Sequence, residues 1–261
     1  MINVSTNTFG ARIIGIVSGK GGVGKTTTTT NLGTGLAYNY HEDVIMIDAN
    51  TTSAGLSVHL GKYSYNISLN DVLKGKAHVS QAMYSHPSGA RFIPATTNIS
   101  SIDVDPKGVK KIVNELKEHV DYILLDCAPT LGDESGSGID ASNEIIVVSN
   151  SEWPALLEAK RTIEYCKKKK KKLLGLILTK TNPDNIDLLN DISKNLGIPI
   201  LGVVRADEKI IESIKKRVPI IHSFPYSKAS EDYEKILEKI TEEKYYGKKN
   251  IIRKVLAKIT N

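Results

Sequence analysis

Gly19-Lys20-Gly21-Gly22-Val23-Gly24-Lys25-Thr26-Thr27 is the stretch on which the reading of this chain turns. From Gly19 to Thr26 it fits the spacing G-x-x-x-x-G-K-[ST], and its surroundings are those that such a loop requires. An apolar run, Arg12–Ser18, precedes it as a candidate strand, and a helical pattern over Thr27–Tyr40 follows. Glycines let consecutive backbone N–H groups turn inward and form a concave anion site, which the helix N-terminus reinforces. In such a site the Lys25 ammonium bridges the β- and γ-phosphates of a nucleotide, and the Thr26 hydroxyl ligates Mg²⁺. A glycine-rich turn with no ligand is the plainer alternative. The coincidence of strand, loop, lysine, hydroxyl and helix argues against it.

Outward from the loop, β-branched runs alternate with helical patterns. Asp43–Asp48 reads as the next strand, Pro106–His119 as an amphipathic helix and Tyr122–Asp126 as another strand. Glu144–Val148, Leu173–Thr179 and Ile200–Val204 continue the series. Runs apolar throughout suit strands buried on both faces, and their alternation with helices predicts an α/β fold with a mostly parallel sheet covered by helices on both faces. The chain has 261 residues, 40% of them hydrophobic, which is enough for one large domain or two small ones. No repeat or linker divides it, so the expected organisation is one domain over 1–247 with an appendage over 248–261. Two separated cysteines, Cys127 and Cys166, exclude a disulfide scaffold and argue against a metal cluster, making a reducing cytoplasm the default compartment. No apolar stretch approaches the roughly 20 residues of a membrane span, and no leader-like segment is visible. A net charge of +6 permits anionic partners without choosing among them.

Lys20 supplies a second lysine inside the loop. Lys20-Gly-Gly-Val-Gly-Lys-Thr-Thr27 resembles the deviant phosphate loop of the MinD/ParA ATPases, and the resemblance runs through most of the chain. It continues through Val44–Asp48, Leu69–Leu73 and Asp121-Tyr-Ile-Leu-Leu-Asp-Cys-Ala-Pro-Thr-Leu-Gly132. Leu201–Val204, Val218–Ile221 and Ser227–Ser230 resemble the MinD branch in particular. The resemblance implies a P-loop NTPase fold, ATP and Mg²⁺ as cofactors, and an ATP-dependent homodimer in which Lys20 reaches the partner's phosphates. It implies that Asp126 and Asp48 lie near the metal together with Thr26, and that Cys127–Gly132 is a switch loop. The family usually has an aspartate two residues beyond Asp48 to position or activate the attacking water. Asn50 stands there instead, which points to slow hydrolysis. For the base, the resemblance directs attention to Thr179, Lys180, Arg205 and Asp207; Arg205 stands where the family often has a proline.

Two basic segments bear on what surface the protein visits. The run Lys167–Lys172 is either a salt-dependent DNA or membrane patch or, with more weight, a solvated helix end whose lysines oppose the dipole. In Lys248–Asn261, Ile251, Ile252, Val255, Leu256 and Ile259 share one helical face, and no acid is present. Such a basic amphipathic helix suits the headgroup region of an anionic bilayer, unless it docks on the protein's own core. The expectation is a MinD-like ATPase, cytoplasmic and peripherally membrane-bound in its ATP state, that positions or regulates partner proteins. The competing readings are a ParA-like ATPase on non-specific DNA and a cofactor- or cluster-maturation ATPase.

Overall fold

The computed structural model describes residues 10–62 and 64–245, so the tail 248–261 lies outside the described residues. The first half comprises β1 (Arg12–Val17), α1 (Lys25–Asn39), β2 (Val44–Ala49), α2 (Leu56–His59), α3 (Leu69–Leu73), β3 (Tyr84–Ser85), β4 (Arg91–Ile93) and α4 (Val109–Leu116). The second comprises β5 (Tyr122–Cys127), α5 (Asp133–Ala141), β6 (Glu144–Asn150), α6 (Trp153–Lys168), β7 (Lys172–Thr179), α7 (Ile186–Leu196), β8 (Ile200–Val204), α8 (Glu208–Lys216), α9 (Ile220–Ser223) and α10 (Lys228–Thr241).

The eight strands form one sheet in the order β3-β4-β2-β5-β1-β6-β7-β8. Every pairing is parallel except β3 with β4. The apolar strands predict this, since β2, β5 and most of β6 are buried along their length. Alternate residues feed two cores. Ile45, Ile47, Ile123 and Leu125 pack with Ile112 of α4, Ile139 of α5 and Ile163 of α6. Val44, Met46 and Leu124 face the other way, with Leu32 and Leu36 of α1 and Tyr233, Ile236 and Leu237 of α10.

Alpha 1 is an unusual helix for its sequence, because Thr26–Thr30 is a run of β-branched residues with poor helix propensity. The helix is buried, and its hydroxyls turn back on its own carbonyls: Thr29 donates to Lys25, Thr30 to Thr27 and Thr34 to Thr30. Burial of polar groups is thereby satisfied inside one element. The single helix expected over Pro106–His119 is instead a short 3₁₀ turn at Pro106–Gly108 followed by α4, with Asp105 capping the turn by accepting from the Lys107 amide. The hairpin of β3 and β4 was not expected. Three residues of strand are too short to carry a periodic signal.

Candidate functional site

The phosphate loop leaves β1 at the carboxyl edge of the sheet and enters α1. Gly22 (φ 76°) and Gly24 (φ 90°) adopt left-handed conformations that L side chains rarely take. A Cβ on Gly19 would strike the backbone of Glu158 on α6, whereas one on Gly21 would meet nothing. The loop is therefore wedged against α6 on one side and open on the other. Val23 is buried and anchors it to the core.

Strand register decides what faces that loop. Asp48 on β2 and Asp126 on β5 are direct partners across the parallel pair, on the α1 side of the sheet. Lys25 donates from Nζ to Asp126 Oδ1 at 2.7 Å. Thr26 donates to Asp126 Oδ2 at 2.7 Å, and Thr29 donates to Oδ1 at 3.3 Å. Burial works against the Lys25 charge, but Asp126 outweighs it and holds the ammonium's pKa above its ordinary value. Asp48 is fully buried and accepts from the Gly55 and Leu56 amides at 3.0 Å through Oδ2 alone; its Oδ1 has no partner. Burial, and next the charge of Asp126, push the Asp48 carboxyl well above the usual carboxylate range. Two adjacent carboxylates, one with an orphaned oxygen, beside a threonine hydroxyl form a donor set suited to a hard cation that keeps most of its waters. Thr26, Asp48 and Asp126 thus fit Mg²⁺, and phosphate oxygens would compete with Asp126 for Lys25.

The remaining residues singled out from sequence divide into those at the loop and those away from it. Lys20 is half-exposed and lies 3.5 Å from Glu152, just before α6. The Thr27 hydroxyl lies 3.5 Å from His59 Nε2. Asn50 donates to the Ser53 carbonyl at 2.9 Å, closing a turn over 50–53. Thr179 donates to the Val23 carbonyl at 2.6 Å, and Lys180 to the Gly22 carbonyl at 3.3 Å, so both brace the loop from behind. Arg205 and Asp207 bond to groups on neighbouring elements. The Arg205 guanidinium grips Asp232 through two bonds of 2.8 Å, while Asp207 caps α8 and accepts from the Ala229 amide. They fasten the end of β8 to α10, which gives the arginine a structural role at this position.

Sequence reasoning passed over Glu134. It stands in the first turn of α5 and receives the hydroxyls of both Thr51 and Thr52. A carboxylate at a helix N-terminus is favoured by the dipole whatever its tertiary role, so only the tertiary contact marks it. Cys127 and Cys166 are buried, and burial pushes their thiols up to about 12 and about 11, so neither is a reactive thiolate. Of the lysine run, Lys169 pairs with Asp140, Lys172 pairs with Glu144, Lys171 donates to the Asp140 and Ser142 carbonyls, and Lys167 donates to the Gly197 carbonyl. Among the described residues, no helix is long and apolar enough to cross a membrane.

The sequence profile of the family described as AAA domain matches residues 11–177. The septum site-determining protein MinD of Bacillus subtilis is 31% identical over 239 residues, covering 86% of this chain and 87% of its own. The crystal structure of the cell division ATPase MinD of Pyrococcus furiosus superposes with a TM-score of 0.84 at 30% identity, over 89% of this chain and 99% of that one. The chain belongs to the MinD/ParA ATPase family. The MinD of Pyrococcus horikoshii, solved as a complex with Mg-ADP, gives a TM-score of 0.83 at 31% identity, over 88% of this chain and 96% of that one. Membership accounts for the β2-β5-β1-β6 centre of the sheet, whose register puts the loop and both carboxylates on one edge.

Proposed function

We propose that this MinD/ParA-family member binds Mg·ATP at Gly19–Thr27, dimerises in the ATP state and attaches reversibly to an anionic membrane surface to position or regulate a partner protein. The observation that carries the nucleotide part is the convergence of Lys25, Thr26 and Thr29 on Asp126, with the unpartnered oxygen of Asp48 on the adjacent strand. When bound, Mg²⁺ supplies neutralising charge to the phosphates. Lys25 then holds phosphate oxygens, the loop amides orient them, and Thr26, Asp48 and Asp126 hold the metal or its waters. The Mg-ADP bound by the P. horikoshii relative supports this assignment.

Dimerisation through the loop face is supported by Lys20 and by exposed apolar groups beside it. Trp153 is 77% exposed and Leu157 55% exposed, one turn apart on α6 and next to Glu152, the partner of Lys20. A second copy would cover them and let Lys20 exchange Glu152 for the other copy's phosphates. Residues 1–247 form the ATPase unit in this reading, and Lys248–Asn261 the membrane helix. One such helix binds weakly, so two on a dimer convert marginal affinity into avidity. Asn50 in place of an acid makes the ATP-bound dimer long-lived, and the protein alternates between cytoplasm and membrane.

The test is co-sedimentation with liposomes containing anionic lipid, and separately with duplex DNA, in ATP and in ADP. ATP-dependent sedimentation with liposomes, lost on deletion of Lys248–Asn261 while nucleotide affinity persists, is the expected result. Sedimentation with DNA alone would replace it by the ParA-like reading.

A further inference from the structure

Glu134 joins two loops that approach the phosphate site from different strands. It opens α5, directly after the Cys127–Gly132 loop, and its carboxylate accepts from the hydroxyls of Thr51 and, at 3.0 Å, Thr52. Those threonines form the tip of the 50–53 turn that Asn50 closes through its amide. The turn is also held from its other side, where buried Asn70 donates to the Thr51 carbonyl at 3.1 Å and binds the Ser101 carbonyl and Thr96 amide as well. The Asn70 side is fixed, because it is buried and fully engaged with the protein's own backbone. The Glu134 side is tied to a loop whose Thr130 amide bonds to the Ser18 carbonyl at the entrance of the phosphate loop. Thr130 has a left-handed φ of 62°, and the flanking Leu131 and Gly132 are exposed. One carboxylate therefore links the phosphate-loop entrance, through the 127–132 loop, to the backbone that carries Asn50.

We infer that Glu134 is a positioning residue for hydrolysis: by holding Thr51 and Thr52 it sets the place of Asn50, and so aligns the water that an amide can orient but cannot deprotonate. The inference rests on the ATPase reading above. The chemistry explains the residue type. An ionised carboxylate is an acceptor with two oxygens, and each oxygen here accepts one threonine hydroxyl. The α5 N-terminus favours its charge, so the clasp forms without a cation. Phosphoryl transfer depends chiefly on alignment, and a turn that drifts costs rate without costing nucleotide affinity.

The experiment compares Glu134→Ala, Glu134→Gln and the double variant Thr51→Val/Thr52→Val in the full chain. Hydrogen exchange of residues 50–56 without nucleotide reads the clasp itself. Calorimetry with Mg·ATP reads affinity, and steady-state turnover reads alignment. Glu134→Ala and the double-valine variant should each speed exchange in that segment and lower kcat by about tenfold or more, with the dissociation constant changed by less than about twofold. Glu134→Gln keeps one acceptor and one amide that a reversed threonine hydroxyl can accept from, so it should restore most of both losses. Normal exchange in Glu134→Ala, or faster exchange with unchanged kcat, overturns the inference. A glutamine variant as slow as alanine also overturns it, since that would make Glu134 a proton acceptor rather than a clasp. Weakened Mg·ATP binding in parallel with kcat would reduce Glu134 to general scaffolding. A wild-type chain that binds no Mg·ATP fails at the parent reading instead, whatever its exchange pattern.

Discussion

Lys25 and the run Lys167–Lys172 carry the same charged group at opposite edges of one sheet. At the amino edge, the lysines are drawn into local partnerships: Asp140, Glu144 and the carbonyls that end α5. At the carboxyl edge, a single lysine is buried against a carboxylate that two threonines also serve, beside a second carboxylate with an unpartnered oxygen. Two part-buried or buried lysines, Lys171 and Lys25, move in opposite directions. Burial lowers the pKa of Lys171, which mainly meets carbonyls, whereas Asp126 overrides burial and raises that of Lys25. Charge density along the sequence thus says little about where function lies. A lysine whose needs are met by nearby backbone is scaffolding; one held among convergent acids is poised to exchange partners.

The largest test of this contrast is Lys25→Ala. It leaves Asp126 buried without its counter-charge, so stability should fall by about 3–5 kcal/mol. Mg·ATP affinity should drop by at least about tenfold. Thermal melting and calorimetry on the same preparation read both, and an unchanged melting point would show that Asp126 is indifferent to its partner.

A half-buried base sharpens the comparison, because among the described residues it pairs with no acid. His222 on α9 packs edge-on to Tyr38 and faces His86, and its Nε2 has no partner. Burial, then the neighbouring His86, push it down to about 4. The neutral form is the one the fold accepts, so stability is lost as pH falls from the ordinary histidine value near 6.5 toward 4. The cost of protonating it is roughly 3 kcal/mol. His222→Phe should flatten the fall in denaturation midpoint between pH 6.5 and 4; an equally steep fall would place the acid sensitivity elsewhere.

Asn50→Asp addresses the carboxyl edge again, with a smaller expected effect. Turnover should rise by about tenfold, because a carboxylate can accept the proton that an amide cannot. An unchanged rate in a steady-state assay would show that alignment by the 50–53 turn suffices.

The smallest effect belongs to the amino edge. Lys169→Ala should shift the melting temperature by no more than about a degree or two and leave nucleotide affinity intact, since its pair with Asp140 is exposed and contributes little. A marked loss of DNA sedimentation in this variant would restore the run as a binding surface.

Much of the carboxyl edge was legible beforehand because its chemistry is local. Gly22, Gly24, Lys25 and Thr26 lie within five residues, and their spacing alone requires a strand before them and a helix after. The apolar runs behind β1, β2, β5 and β6 likewise fix buried parallel strands, since only burial on both faces explains them. Other features depended on distance in sequence. The pairing of Asp48 with Asp126, 78 residues apart, follows from parallel register. The grip of Glu134 on Thr51 and Thr52 spans more than 80 residues. The fate of Arg205 was settled by Asp232 on another element, and that of the lysine run by acids and carbonyls on α5 and β6. Backbone conformation and burial periodicity are properties of neighbours along the chain, so the sequence determined the loop, the strands and the class of fold. The neutralisation of a charge, or its exposure to a ligand, depends on which groups the fold brings within about 3 Å, and only the tertiary structure decided that.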